Sequence, residues 1–557
     1  MDFATSKGAF IRTLQTYMDA HYYRTGRTGW VVGGGWSEAV LGEAPTKEWL
    51  DAVDRTVPIV LFRKDVHSCV LNTAALTACH LLRGTADGEA ALLTEVDGGR
   101  IERGADGLPN GVVRDNAINA IRVYWPPADQ PAQQQLAMEA ASDYYLRRGF
   151  TTVFTMMSTR FLDNAAELRF LRDAEARGAL RLRLRYGVPL DTVDALQQEF
   201  YAPVAAAAAQ RQRTDRWTAP HCFTCRPPQE GGGFLFLGAV KLFSDGALGS
   251  RTAAMNRPYG YDVLTDGDLN SDLDDAALAA VLAALPDHAQ CGCGLLVTQR
   301  AELRLAVGAV RQRGLQIVVH AIGDRAVAMV NKALCEAAAD GGGTAAGLLR
   351  PRVEHCQHIG VVEKEVSRMA AHGVIASMQP CHLLFDGDYV EALLGHARQQ
   401  RSYLWRTFLD RGVRVDFGSD WPVAPADLLD GLRAAVLRVP DVMAALAAEQ
   451  GAGAGAAPAP HTRRYHDVWN ARERLDVDTA LRAFTYEGAH GAFLEDVVGT
   501  VEAGKYADLC VWSADLQDTS AMAPLVPGRD ERWWPKAAQP HVVWTIVGGI
   551  VEYEHDA

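Results

Sequence analysis

Four polar side chains of the types used in metal-dependent hydrolysis each close a short apolar run. Lys241 follows GAV, His320 closes LQIVVH, His355 closes RVEH, and Asp420 closes VRVDFGSD. Neutral imidazoles bind zinc-like ions, and a catalytic zinc keeps one position open for water. A bound ion lowers the pKa of that water to about 7 and polarises a carbonyl, and a neighbouring carboxylate can pass the proton to a leaving amine.

Lys241 fits this chemistry in a modified form. A buried lysine is costly as a cation, because desolvation disfavours the charged state. If it reacts with carbon dioxide it becomes a carbamate, which can bridge two ions through its oxygens. Taken singly, a histidine after a strand is more often a hydrogen-bonded structural residue, and Asp420 could cap the next helix. Four such residues at equivalent strand ends favour a common site.

A repeating pattern from about residue 140 onward indicates the elements that position these residues. Each repeat has a helix-period segment, a glycine that can end it, and a short apolar strand. This alternation predicts a parallel α/β architecture. Seven strands are predicted, near residues 151–156, 180–188, 237–243, 315–320, 351–355, 373–379 and 413–419. We therefore expect a TIM-like (β/α)8 barrel that lacks one strand, with its active site at the carboxyl ends of the strands.

The remaining segments suggest two further features. Residues 28–115 are strand-like and rich in turns, which indicates a β-rich insertion in a barrel domain spanning 1–490. Residues 451–460 have the composition of a flexible surface loop. Residues 491–557 contain period-2 apolar runs and glycine turns, which predict the C-terminal part of a β-sandwich module.

Composition excludes several classes of function. The 557 residues include 55 Lys and Arg against 68 Asp and Glu, a net charge of −13, which argues against nucleic-acid or anionic-membrane binding. No apolar run approaches the roughly 18 residues of a membrane span. The ten cysteines are scattered, as free thiols in a reducing compartment would be. We therefore expect a cytoplasmic protein.

Eight stretches, taken in order, resemble a known family. The chain is similar to the amidohydrolase superfamily, specifically the amidohydrolase family 3 branch of N-substituted formamide deformylase-like enzymes. The stretches are GGGW, PT-KEWLD, VKLFSDGALGSRTA, VVHAIGDRAV, VEHCQHI, SMQP-CH, FGSDWPV and VGTVEAGKYADL. The resemblance implies a metal-dependent hydrolase with a β/α barrel and a β-sandwich side domain, acting on a small-molecule amide-type substrate.

The resemblance also implies roles for the residues already singled out. Lys241 would be a carboxylated lysine that bridges two metal ions. His320 and His355 would bind one ion, and Asp420 would bind the other and act as general base. The cofactor would be a divalent metal, expected to be Zn²⁺, as one ion or two.

Five further positions match the family's pattern. Arg251, His382 and Trp421 would line the substrate pocket. Asp324 and Arg325 would brace the loop that aims the first metal-binding histidine, as residues behind metal ligands commonly do.

The sequence departs from the family at the first barrel strand. Members carry a His-x-His pair at the end of that strand, and this chain contains no His-x-His. The missing His-x-His pair would lie on the strand that is missing from the predicted eight, so a single missing segment explains both. We expect the sequence to be an incomplete gene product whose protein starts further upstream. The alternative is a genuine variant with a weakened metal centre.

Three functions from different classes remain open. The first is an amidohydrolase that cleaves a non-peptide carbon–nitrogen bond with a metal-activated water. The second is a catalytically impaired barrel that acts as a binding or regulatory protein. The third is a related metal-dependent esterase, lactonase or phosphotriesterase, since fold does not determine function. Each is compatible with a homo-oligomer.

Overall fold

The computed structural model describes most of the chain in separate segments. The described residues are 4, 6–24, 26, 29–82, 96–122, 131–156, 164–203, 218–219, 221–224, 233–260, 292–339, 349–387, 390–439, 469–518, 520, 522–524, 532–535 and 538–555. The linker-like stretch 451–460 lies outside them.

The N-terminal part forms a mixed five-stranded sheet covered by helices on both faces. Its strands are β1 (Val31–Trp36), β2 (Ile59–Arg63), β3 (Ser68–Leu71), β4 (Gly99–Arg103) and β5 (Pro109–Asp115). They lie in the order β1-β2-β3-β5-β4, and only the β1–β2 pair is parallel. The helices are α1 (Lys7–Tyr17), α2 (Glu38–Leu41), α3 (Lys47–Asp51), α4 (Thr73–Ala78) and α5 (Asn116–Arg122).

Alternation along β2 explains why this sheet is buried on both faces. Ile59 and Leu61 pack with Phe10 of α1, whereas Val60 and Phe62 pack with Leu76 of α4. Successive side chains of a strand point to opposite faces, so the continuous apolar run IVLF supplies two cores at once. We call this region the accessory sheet.

The larger sheet contains the seven predicted parallel strands. They are β6 (Thr152–Met156), β7 (Arg183–Val188), β10 (Leu235–Phe243), β11 (Gln316–Ala321), β12 (Arg352–His355), β13 (Ile375–Met378) and β14 (Val415–Phe417). The short strands β8 (Thr218–Ala219) and β9 (Cys222–Thr224) add an antiparallel pair beside β10. The order β14-β13-β12-β11-β10-β7-β6 is that of a curled, half-barrel sheet. The predicted parallel α/β architecture is confirmed.

Helices alternate with these strands, as the sequence pattern predicts. The first six along the chain are α6 (Pro131–Leu146), α7 (Asn164–Ala176), α8 (Leu190–Ala195), α9 (Arg300–Gln312), α10 (Asp324–Ala339) and α11 (Val362–His372). They continue as α12 (Pro380–Asp386), α13 (Val390–Leu394), α14 (His396–Gln399), α15 (Trp405–Asp410), α16 (Leu428–Leu437), α17 (Val477–Arg482) and α18 (Gly488–Gly491). Among the described strands, none pairs with the outer edge of β6 or of β14. The seven strands therefore leave a gap between these two edges.

None of the described helices is long and apolar enough to cross a bilayer.

The interior of the curled sheet contains a closed charge network. Arg352 on β12 donates to Glu354 on the same strand at 2.8 Å, to Asp416 on β14 at 2.6 Å, and to Ser377 on β13 at 2.6 Å. All four side chains are buried. One guanidinium thus ties three neighbouring strands together below their carboxyl ends.

The C-terminal segment adds a small antiparallel sheet. Its strands are β15 (Leu509–Trp512), β18 (Val542–Val547) and β19 (Ile550–Glu554), and β16 (Ala523–Pro524) pairs with β17 (Arg532–Trp533). Arg183 of β7 binds Asp508 through Nε at 2.7 Å, which anchors this sheet to the larger one. The described residues show a three-stranded sheet and a separate two-stranded pair here, and the β-sandwich module stays a prediction.

Candidate functional site

The strand register brings the predicted lysine and two histidines to one end of the parallel sheet. Phe243 on β10 lies opposite His320 on β11, and Lys241 lies two residues before Phe243. Ala321 lies opposite His355, the last residue of β12. The His320 and His355 ring centres are 4.5 Å apart. Lys241, both histidines and Asp420 line the same cavity, so the four predicted residues converge.

One group of side chains among the described residues has the spacing of a metal site. Ligand atoms of His355, His382 and Asp420 all lie within 4.8 Å of one another. His382 lies in α12, and its Nε2 is 3.6 Å from an oxygen of Asp420. Asp420 follows β14 with a φ of 59°, a left-handed conformation that is uncommon for residues other than glycine. The structure thus brings His382, expected to contact substrate, among the candidate ligand atoms.

Four histidine rings form a continuous row across the cavity. The ring centres are 5.1 Å apart for His67 and His320, 4.5 Å for His320 and His355, and 5.8 Å for His355 and His382. We call these four side chains the imidazole row. Three of them come from the parallel sheet and its loops, and His67 comes from the accessory sheet.

Two of the three histidines from the parallel sheet and its loops have one ring nitrogen bonded to a protein oxygen. His320 Nε2 lies 3.0 Å from the carbonyl oxygen of Gly246, and His355 Nδ1 lies 2.8 Å from Oε1 of Gln379. When the N–H of a neutral imidazole donates to an oxygen, the other nitrogen carries the lone pair. Metal-binding histidines commonly have this arrangement.

Burial disfavours the charged form of His320, His355 and His382. It lowers the pKa of His320 and of His355 well below the usual range, with further lowering by neighbouring histidines and the charge of Lys241. The pKa of His382 is lowered to about 4, mainly by burial and secondly by Lys64. Neutral imidazoles are the form that binds metal ions. These three imidazoles are therefore neutral at neutral pH.

The pKa of Asp420 is shifted in the opposite direction from those of the histidines. Burial raises its pKa to about 7, although the charge of Lys241 acts in the other direction. The side chain lines the cavity and is 40% exposed. Such a group can both accept and release a proton near neutral pH.

Asp245 is a further functional candidate that the sequence reasoning missed. Its carboxylate accepts the backbone N–H groups of Ile322 and Gly323 at 3.0 and 2.8 Å, and it lies 3.4 Å from His320 Nε2. Burial raises its pKa to about 8. Asp245 thus supports the loop after β11 directly. Its position four residues after Lys241, in the run FSDG, was a usable signal.

Asp324 and Arg325, the residues expected to brace this loop, act one step further away. Asp324 accepts the backbone N–H of Asn256 at 2.8 Å, and the Arg325 backbone N–H donates to the carbonyl of Ala254 at 3.1 Å. Both contacts hold the loop after β10. Their supporting role for His320 stays a prediction.

The residues expected in the pocket divide into two groups. His382 and Trp421 line the cavity, and Trp421 stacks on Tyr144 with ring centres 4.9 Å apart. Arg251 is exposed and lies outside the described cavity lining, although Leu248 and Gly249 of the same loop belong to it. The substrate contact expected of Arg251 stays a prediction.

The cavity that these residues share is large. Its volume is about 2870 Å³, above the roughly 300–1,000 Å³ of a typical small-ligand site. It extends from the imidazole row along the gap between β6 and β14, where Phe154 and Phe417 line its wall, as far as Leu509.

The donor set fits a divalent transition metal. His355, His382 and Asp420 offer two imidazole nitrogens and one carboxylate, and catalytic zinc sites commonly use three protein ligands. Carboxylate and imidazole are also acceptable to other first-row metals. The residues present therefore suit such an ion without specifying which one.

Comparison with known proteins agrees with this geometry. A family profile described as "Amidohydrolase family" matches residues 4–551. The chain is 27% identical over 498 residues to Protein LONG AFTER FAR-RED 3 of Arabidopsis thaliana, covering 88% of this chain and 70% of that protein. It is 24% identical over 519 residues to N-substituted formamide deformylase of Arthrobacter pascens, covering 92% and 76%.

A solved structure shares the fold. An uncharacterized metal-dependent hydrolase from Pyrococcus horikoshii superposes with a TM-score of 0.57 at 22% identity, covering 90% of this chain and 78% of that one.

Proposed function

Because the chain belongs to the amidohydrolase family, we propose that it is a metal-dependent hydrolase that cleaves a non-peptide carbon–nitrogen bond of an amide or formamide type. One observation carries the proposal. Neutral imidazoles and a carboxylate with a pKa of about 7 converge at the carboxyl ends of a parallel sheet, the edge where β/α folds carry their active sites.

His355, His382 and Asp420 would hold the metal, proposed to be Zn²⁺, with Lys241 and His320 beside them. A bound divalent ion supplies two kinds of chemistry, the polarisation of a carbonyl and the activation of a water. Lys241 is proposed to act as a carbamate. In that form it replaces a buried cation by an anion next to the candidate ligands, which suits a cationic partner.

Asp420 is the proposed proton carrier. Its carboxylate takes a proton from the attacking water and releases it to the leaving nitrogen, so that the amine departs uncharged. A pKa near 7 suits both halves of this transfer. His382 lies beside this carboxylate, with its Nε2 3.6 Å from one carboxylate oxygen.

The substrate is proposed to be a small amide with an apolar N-substituent. Trp421 is 37% exposed at the cavity and forms an aromatic surface with Tyr144 and Tyr145. Flat apolar groups stack on such surfaces. The similarity to N-substituted formamide deformylase supports the same class. Location in the cytosol and self-association stay predictions.

Metal-loaded protein assayed against N-substituted formamides, cyclic amides and lactones tests the proposal. We expect formamide or amide turnover that is lost on chelation and restored by zinc. Turnover of lactones without any amide turnover would assign the chain to the esterase and lactonase class instead. Protein that neither retains nor takes up metal would support a binding or regulatory role.

Lys241→Ala tests the carbamate. We expect this variant to lose most of its bound metal and to recover part of it with a short carboxylic acid. Lys332→Ala is the matched control, because Lys332 is exposed on α10. Undiminished metal content in Lys241→Ala would contradict the assignment.

A further inference from the structure

The accessory sheet contributes one side chain to the cavity. His67 lies in the turn between β2 and β3 and is 6% exposed, and it lines the same cavity as Lys241 and His320. Its ring centre is 5.1 Å from that of His320. His67 is not in the described group with metal-site spacing. It therefore lies next to His320, in the cavity that also contains the candidate metal site.

Three contacts fix this histidine. Its backbone N–H donates to Asp65 at 3.1 Å, its carbonyl accepts the N–H of Asp115 at 3.0 Å, and its Nδ1 lies 2.7 Å from Asp115 Oδ1. Asp115 is fully buried at the end of β5. Backbone and ring are thus both held in place.

The Asp115 contact also determines the chemistry of the ring. A carboxylate offers only acceptor atoms, so Nδ1 must carry the hydrogen in the contact with Asp115. In the neutral imidazole, Nε2 then carries a lone pair and accepts hydrogen bonds. Carboxylates orient catalytic histidines by the same principle in hydrolases.

The accessory sheet is firmly docked on the parallel sheet at this point. Arg114 donates to the carbonyl of Ser250 at 2.9 Å, and Asn116 donates to the carbonyl of Val297 at 3.0 Å. The packing is also close, because a methyl group added at Gly246 would lie 2.9 Å from Asp115 Oδ1. The position of His67 relative to the loop after β10 is therefore fixed by the docking.

We propose that His67, oriented by Asp115, is a substrate-binding residue whose Nε2 accepts the N–H next to the scissile carbonyl. The cavity would then select amides that retain an N–H over esters of the same shape. An ester oxygen has no hydrogen to donate, and its lone pairs would face that of Nε2. This inference rests on the proposed function only in taking an amide as the ligand.

The test compares two ligands that differ in one group, N-benzylformamide and benzyl formate. Their dissociation constants are measured by ligand-observed NMR titration of the full chain stripped of metal, so that turnover does not interfere. We expect the unsubstituted protein to bind the amide about tenfold more tightly, the effect of one hydrogen bond. His67→Leu should bind both ligands equally.

Two further variants separate recognition from folding. His67→Gln retains an acceptor and should keep most of the preference for the amide. His21→Leu removes an exposed histidine and should behave as the unsubstituted chain. A ratio of affinities is unaffected by a general loss of stability, and circular dichroism confirms that each variant is folded.

The outcomes distinguish this inference from the proposed function. Equal affinities in the unsubstituted chain, no binding of either ligand, or an unchanged preference in His67→Leu would overturn the role of His67. A preserved amide preference in a metal-loaded chain that hydrolyses no amide would refute the proposed function and leave the role of His67 intact.

Discussion

Strand β12 carries ionisable side chains in two different electrostatic states. In one place the side chains are charged and paired, and in the other the side chain is neutral. Arg352 and Glu354, in the interior of the sheet, neutralise each other together with Asp416. His355, one residue further on, is neutral, and it lines the same cavity as Arg352 and Glu354. The charges of Arg352, Glu354 and Asp416 pair with one another, whereas His355 is buried in its neutral form with Nδ1 bonded to Gln379.

We expect substitutions in the charge network to lower the free energy of unfolding, and substitutions at the candidate metal site to lower activity. Within the network, Arg352 outweighs the effect of burial on Glu354 and lowers its pKa, whereas burial prevails at Asp416 and raises its pKa. Burial also raises the pKa of Asp420, which has no arginine beside it among the causes of its shift. Removing a group from the closed network leaves uncompensated buried charge. Substitutions at the two places should therefore have different signatures.

Asp420→Asn should give the largest effect on the open side of the comparison. We expect kcat to fall about 10²- to 10⁴-fold, because the amide cannot carry the proton. The urea midpoint should stay the same or rise, since the raised pKa of Asp420 means that folding disfavours its charged form. Steady-state kinetics and urea unfolding at neutral pH check both parts. A large loss of stability would place Asp420 with the closed network.

Arg352→Met should give the largest effect on the closed side. It leaves Glu354 and Asp416 buried without their cation, and we expect a loss of about 3–5 kcal/mol in unfolding free energy. Arg304→Met is the control, because the Arg304–Glu336 pair is exposed and should contribute less than about 1 kcal/mol. Equal losses in the two variants, measured by chemical denaturation, would remove the distinction.

His358 sharpens the comparison, because it is an imidazole close to His355 but outside the described cavity lining. Burial, with a smaller effect of Arg398, lowers its pKa to about 3, and its Nδ1 lies 2.7 Å from Ser402 Oγ. Below its unfolded pKa of about 6.5 the unfolded chain binds the extra proton, so stability falls with decreasing pH. Between pH 7 and pH 5 the loss should be about 2 kcal/mol.

His358→Gln isolates this contribution from that of the other histidines. The variant should lose about 2 kcal/mol less than the unsubstituted protein over the same pH interval. Urea unfolding at both pH values gives the difference. Identical pH dependence in the two proteins would contradict a neutral, closed His358.

Trp421→Ala should have the smallest effect. Loss of the surface shared with Tyr144 should raise KM for a substrate with an aromatic N-substituent by about 2- to 12-fold, the value of one aromatic contact. Trp421→Phe should retain most of the affinity. A similar rise for a substrate with a short aliphatic N-substituent would indicate a general disturbance of the cavity.

The parallel sheet was predictable because its signals are local. Each strand is an apolar run of a few residues, bounded by a glycine and ended by a polar residue, and all seven runs pair as parallel strands. Lys241, His320, His355 and Asp420 were found by the rule that parallel strands end at one edge. Their convergence in one cavity follows from that rule.

Other parts of the site depended on contacts between distant segments. His67 precedes His320 by more than 250 residues and reaches it because the accessory sheet docks through Arg114 and Asn116. His382 was found in the sequence, but its approach to Asp420 depends on how α12 packs. Arg251 was expected in the cavity and is exposed, because the loop after β10 turns it outward.

The sequence by itself determined the α/β class, the strand ends and the chemical types of the candidate ligands, because periodicity and strand-end polarity are properties of neighbouring residues. Only the tertiary structure decided which imidazoles form one row, which carboxylate supports His320, and which charges neutralise each other inside the sheet. Those outcomes depend on distances between elements, and burial, which sets the pKa values, exists only after the elements have packed.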